Sequence, residues 1–199
     1  MKQQKKVWMA RACLMAAGLL LALSTTVLWP VVEEARVDYA DGGREKIGVL
    51  TDGDVVEQPL HTDLSEISEV NVKVETSEES KAMTLTLALM RDGRVVAQET
   101  YPLAKVRMKS RLRLNLPAGT RGGACTLRVT VSGEGKVSLT GGEGGAPATV
   151  DGLSQATALY VRLDGKKRRV GVQTVYLGGM LVLLGLTPGG GKRGARREA

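Results

Sequence analysis

An all-β sandwich flanked by two transmembrane α-helices is the fold class that this 199-residue sequence predicts, and three observations lead to it. Residues 12–32 (ACLMAAGLLLALSTTVLWPVV) contain no charge, and a helix of that length reaches roughly 30 Å, the depth of a bilayer core. Residues 170–187 (VGVQTVYLGGMLVLLGLT) form a second apolar run near the other end. Between the two, apolar and polar residues alternate with period two in short stretches broken by Gly, Asp and Ser, as half-buried strands do.

Taken in order, residues 1–11 form a basic tail and residues 12–32 the first span, bracketed by Trp8 and Trp29 at interface depth. Gly18 and Ala22 make a small-xxx-small pair suited to close helix approach. A rival reading is a cleaved signal peptide, with a basic n-region, an apolar core over 14–23 and small residues at the cleavage spacing, Ala22 and Ser24; either way the middle is exported. Residues 170–187, about 27 Å as a helix, form the second span, and residues 188–199 a second basic tail. Basic clusters at both chain ends put both termini in the cytoplasm, although Lys166, Lys167, Arg168 and Arg169 then lie outside, against the positive-inside trend.

Residues 33–169 are left for one extracytoplasmic domain, long enough to bury its own core. Expected strands are 37–40, 46–50, 55–60, 67–76, 82–90, 94–102, 106–116, 124–132, 136–139 and 157–163, with turns at Asp41-Gly42, Asp52-Gly53, Asp92-Gly93 and Asp164-Gly165. Met83, Leu85, Leu87 and Leu89 make one inward row. Val72 with Val74, Leu112 with Leu114, and Leu127 with Val129 and Val131 supply matching rows for two packed sheets. Asp63 to Glu66 has capping-box spacing and predicts one helical turn, and 141–147 (GGEGGAP) predicts a loop.

The net charge of +7 is unevenly placed. Residues 33–165 hold sixteen basic and twenty acidic residues, a net charge of −4, so the excess cations flank the apolar runs. That distribution points to membrane lipid as a partner and excludes nucleic acid. Lys105, Arg107, Lys109, Arg111 and Arg113 recur at every second position, so a strand would carry all five on one face. These are the candidate binding residues, for an anionic envelope polymer or lipid headgroups. A solvated outer face or a protected edge strand is the alternative.

No catalytic constellation stands out, no cofactor is expected, and the chain reads as a non-enzyme. His61 has no second His or Cys near it to complete a metal site. Asp52-Gly53-Asp54 starts like a calcium loop but lacks the later ligands, and 152–156 (GLSQA) misses the nucleophile-elbow pattern at its last residue. Cys13 and Cys125 are far apart and predict no disulfide framework.

The run QPLHTDLSEI at 58–67, followed by the strands at 70–76 and 85–90 and then RDGRVV at 91–96, resembles the extracytoplasmic jelly-roll domains of bacterial polysaccharide-assembly and glycosyltransferase membrane proteins. That resemblance implies a jelly-roll-like, carbohydrate-binding-module-like sandwich at the outer face of a bacterial plasma membrane. It also implies an accessory role in envelope glycan assembly, with a membrane glycosyltransferase as partner. The many-helix catalytic portion of such proteins has no counterpart in these 199 residues.

Overall fold

The structure, a computed structural model, describes residues 2–23, 31–169 and 172–186. The chain divides into a unit of Glu33–Lys167 and a second made of Met1–Val32 with Arg168–Ala199.

In the terminal unit the expected membrane spans are overturned. Helix α1 (Lys2–Leu23) starts ahead of the charge-free run and takes in Lys6 and Arg11, so its uncharged part is 12–23, about 18 Å long. Val31 and Val32, expected in lipid, instead open the first strand. Helix α2 (Val172–Leu186) has 15 residues, about 22 Å. Among the described residues no helix is long and apolar enough to cross a membrane. The two flanking transmembrane helices, the two-pass topology with cytoplasmic termini and the plasma-membrane location are therefore not supported. Residues 24–30, 170–171 and 187–199, with Trp29 and the basic C-terminal tail, lie outside the described residues. The two helices meet at glycine: a Cβ on Gly18 would stand 2.6 Å from the Gly178 carbonyl oxygen, so only glycine permits that approach.

The other unit is built of strands β1 (Val31–Asp38), β2 (Asp41–Leu50), β3 (Val55–Glu75), β4 (Thr84–Arg91), β5 (Arg94–Pro102), β6 (Ser110–Asn115), β7 (Arg121–Ser132), β8 (Val137–Glu143), β9 (Thr149–Val150), β10 (Leu153–Ser154), β11 (Ala158–Leu159) and β12 (Val161–Arg169). The main strand order is β1-β12-β3-β7-β4-β5, with β6, β8 and β9 also on β3. All the pairings for which a register is recorded are antiparallel. The inward rows are as expected: Met83, Leu85, Leu87, Leu89, Val72, Val74, Leu112, Leu114, Leu127, Val129 and Val131 are all buried in one apolar core.

Strand β3 organises this unit. Its first half pairs with β7 from Val55↔Thr130 to Thr62↔Gly123, and its second half pairs with β12 and β6. Between them the register shifts at Thr62/Glu66, where a helical turn was expected. The capping-box residues lose to pairing: Leu64 is buried and the Ile67 N–H donates to the Thr120 carbonyl at 2.8 Å. The shift brings β7 against β3 so closely that a Cβ on Gly122 would lie 1.7 Å from the Leu64 carbonyl oxygen. Other expectations also change: the turns at Asp41-Gly42 and Asp164-Gly165 are strand instead, in β2 and β12. The two strands 55–60 and 67–76 are one, the 157–163 strand splits into β11 and β12, and β8 runs through Glu143 into the expected loop.

Candidate binding cleft

Alternation along β3 buries Val56, Gln58 and Leu60 and turns Glu57, Pro59 and His61 outward. Register sets Glu57 beside Arg128, Pro59 beside Thr126 and His61 beside Ala124 on β7, then Ala88 and Met90 on β4 beside Arg128 and Thr126. Pro59, Ala124 and Thr126 have short side chains and form the low strip of the floor. The β4–β5 turn (Arg91, Asp92, Gly93) forms one wall, and Tyr39 with Ala146 the other; together they enclose a cleft of about 550 Å³, within the size range of small-ligand sites.

Each wall is held from behind. Gln58 is completely buried; its amide donates to the Ala146 carbonyl at 2.8 Å and the Pro59 carbonyl at 2.9 Å, and its oxygen accepts from the Leu159 N–H at 2.6 Å. Every strong polar function of that side chain is used, which offsets its burial. The Ala146 N–H donates to the Tyr39 hydroxyl at 3.2 Å. Arg91 donates to the Arg121 carbonyl and to that of Gly122 at 3.3 Å, fixing the opposite wall. Arg128 donates twice to Glu57 Oε1, at 2.8 and 2.7 Å. The cleft thus offers guanidinium and carboxylate groups that balance in charge, a histidine and one phenol ring. Burial pushes the Cys125 thiol up, outweighing Arg91, so it is a poor nucleophile.

The second half of β3 lines another cleft, of about 640 Å³, with Glu34, Arg36, Glu69, Arg113, Asp164 and Lys166 around it. Here the charges answer one another. Arg36 meets Asp164 at 2.6 Å and Arg113 meets Glu69 at 3.5 Å, while Asn71 donates to Glu69 at 2.7 Å and to Asp164 at 3.0 Å.

The five cations read as one stripe are distributed otherwise. Lys105 ends a 3₁₀ turn (Leu103–Lys105), Arg107 and Lys109 lie in the following loop, and only Arg111 and Arg113 stand on β6. Lys109 takes a left-handed φ of 61°, which stops the expected 106–116 strand before Ser110. None of the five lines the first cleft, whose residues come from five separate parts of the chain.

His61 does line that cleft, whereas Ser154 does not and lies exposed on β10. The Asp52 and Asp54 carboxylates accept from the Gly133 and Thr51 N–H groups at 2.8 and 2.7 Å, the work of a turn. Among the described residues no group of three His, Cys, Asp or Glu is placed to hold a metal ion.

No family model and no curated protein sequence matches the chain. Among solved structures it is similar to Xylanase10C from Cellvibrio japonicus in complex with xylopentaose, at 10% identity and TM-score 0.36, with 58% of this chain and 26% of that one covered. It is similar to the CBM36-1 domain of a multidomain xylanase from the hindgut metagenome of Trinervitermes trinervoides, at 14% identity and TM-score 0.35, with 67% and 98% covered. The xylan-binding module CBM15 aligns at 11% identity and TM-score 0.34, with 65% and 99% covered. The chain spans about a quarter of the xylanase and nearly all of either module.

Proposed function

We propose that this chain is a non-catalytic glycan-binding module whose cleft over β3 and β7 takes an uncharged stretch of polysaccharide. The observation that carries the reading is the low floor of Pro59, Ala124 and Thr126 set between Tyr39, His61 and the Glu57–Arg128 pair. Sugar hydroxyls both donate and accept, and this cleft places planar donors and acceptors around an apolar strip. Its balanced charge favours a neutral ligand over a polyanion. The role is accessory: the module holds polymer for a separate enzyme of glycan assembly.

Affinity electrophoresis of the full chain through gels containing uncharged xylan or β-glucan tests the binding. The chain is expected to be retarded, and His61→Ala, at an exposed position, is expected to weaken retention by about tenfold, one lost ligand contact. Free migration in every uncharged polysaccharide, or equal retention of His61→Ala, overturns the reading. Crosslinking tests the accessory role: a co-purified glycosyltransferase supports it, and recovery of polymer without protein counts against it.

A further inference from the structure

We infer that the loop between β5 and β6 is a second binding site, for an acidic polysaccharide, separate from the cleft and independent of it. Residues 105–111 (KVRMKSR) hold four cations and no acid, within a stretch, residues 33–165, whose net charge is −4. All four are exposed. Elsewhere on the same unit the exposed Arg36, Lys46, Arg113, Arg128 and Lys166 each face a carboxylate within 3.5 Å, while Arg94, Arg121 and Lys136, exposed and without an ion pair among the described residues, are scattered along the sequence and form no cluster. Among the described residues no ion pair joins Lys105, Arg107, Lys109 or Arg111, and Asp38, the carboxylate that senses Arg111, is already bonded to Arg162 at 2.7 Å.

The fold concentrates this charge instead of spreading it. Leu103 is buried and its N–H donates to the Met83 carbonyl at 2.9 Å, which pins one end of the loop. Ser110 pairs with Val74 and pins the other, and the next rung sets Arg111 directly opposite Lys73. A left-handed lysine in the loop adds local cost. An anionic ligand that engages the patch offsets the repulsion among its four clustered cations. Met108, 73% exposed, is the one large apolar side chain exposed in this loop, too little to insert into lipid. The loop has no aromatic ring on which nucleic-acid bases could stack. A chain of sugar carboxylates fits what remains.

The test is binding of the full chain to polygalacturonate, with uncharged xylan alongside. The wild-type protein is expected to bind at low salt and release as salt rises. Replacing Arg107→Gln, Lys109→Gln and Arg111→Gln together is expected to weaken polygalacturonate binding by about tenfold or more, while Arg107→Lys with Arg111→Lys retains it. Equal binding by the Gln variant overturns the inference. So does loss in the charge-keeping variant, or retention on anionic vesicles or RNA without retention on polygalacturonate. Xylan reports on the cleft and polygalacturonate on the loop, so the two readings fail separately.

Discussion

The two halves of β3 present opposite kinds of surface from one continuous strand. Over Val55 to Thr62 the outward residues are sparse in charge, and the polar work is done underneath by Gln58, which ties the cleft wall to the core. Over Glu66 to Glu75 the polar work is on the surface, where Asn71, Glu69, Arg113, Asp164 and Arg36 satisfy one another. A surface whose donors and acceptors already meet has little left for a ligand. In the first half Glu57 and Arg128 meet in the same way, but His61 and Asp92 line the cleft without a side-chain hydrogen bond among the described residues, and so the first half is the better binding face although the second encloses the larger volume.

The strongest way to break this contrast is at the joint. Gly122→Ala sets a Cβ against the Leu64 carbonyl at 1.7 Å; backbone on both sides must move, and a loss of about 3 kcal/mol or more is expected in chemical denaturation. Because β3 changes partners there, both halves should loosen together. A loss under about 1 kcal/mol would mean that the joint yields easily. Gln58→Leu acts on the first half alone. It leaves the Ala146 carbonyl and the Leu159 N–H without their partner and should cost about 2–3 kcal/mol. Xylan retention should fall as well, since Tyr39 and Ala146 lose their support. A variant of unchanged stability would show that Gln58 does not brace the wall.

How much of this was legible follows the range of the interactions. The row Met83, Leu85, Leu87, Leu89 and the turns at Asp52-Gly53 and Asp92-Gly93 are local patterns, and the structure has them, with φ of 89° at Gly53 and 73° at Gly93. The continuity of β3 was hidden because Thr62 to Glu66 is polar and helix-like by itself, and only the β7 ladder and the Thr120 carbonyl make it strand. The alternation of Lys105 to Arg113 was visible, but not the left-handed turn at Lys109 that divides it. The cleft left no contiguous signal, for Tyr39, His61, Arg91, Arg128 and Ala146 meet only after folding. Charge-free length suggested membrane spans, yet it does not say where a helix starts and stops, and Lys6, Arg11 and Val31 fall on the wrong sides of those limits.

The smallest effect expected belongs to the surface network beside the second half of β3, and pH isolates it. The hydrogen bond from Arg162 holds Asp38 below its ordinary value of 3.8, against the cost of burial, with help from Tyr160. A carboxyl whose folded-state pKa is depressed adds stability above its unfolded value, and that stability is lost as pH falls through the folded one. Asp38→Asn should therefore lower the melting temperature at pH 6 and make no difference well below pH 3, where the native carboxyl is itself protonated. The side chain is 39% exposed, so solvent screens the pair and the gap at pH 6 should be under about 1 kcal/mol. Glu66, lowered by the Gly119 N–H and Lys166, follows the same sign and shares the acid window. Only the difference between wild type and variant therefore reports on Asp38. A gap that persists unchanged at pH 2.5, or none at pH 6, would show that these surface charges are neighbours without being partners.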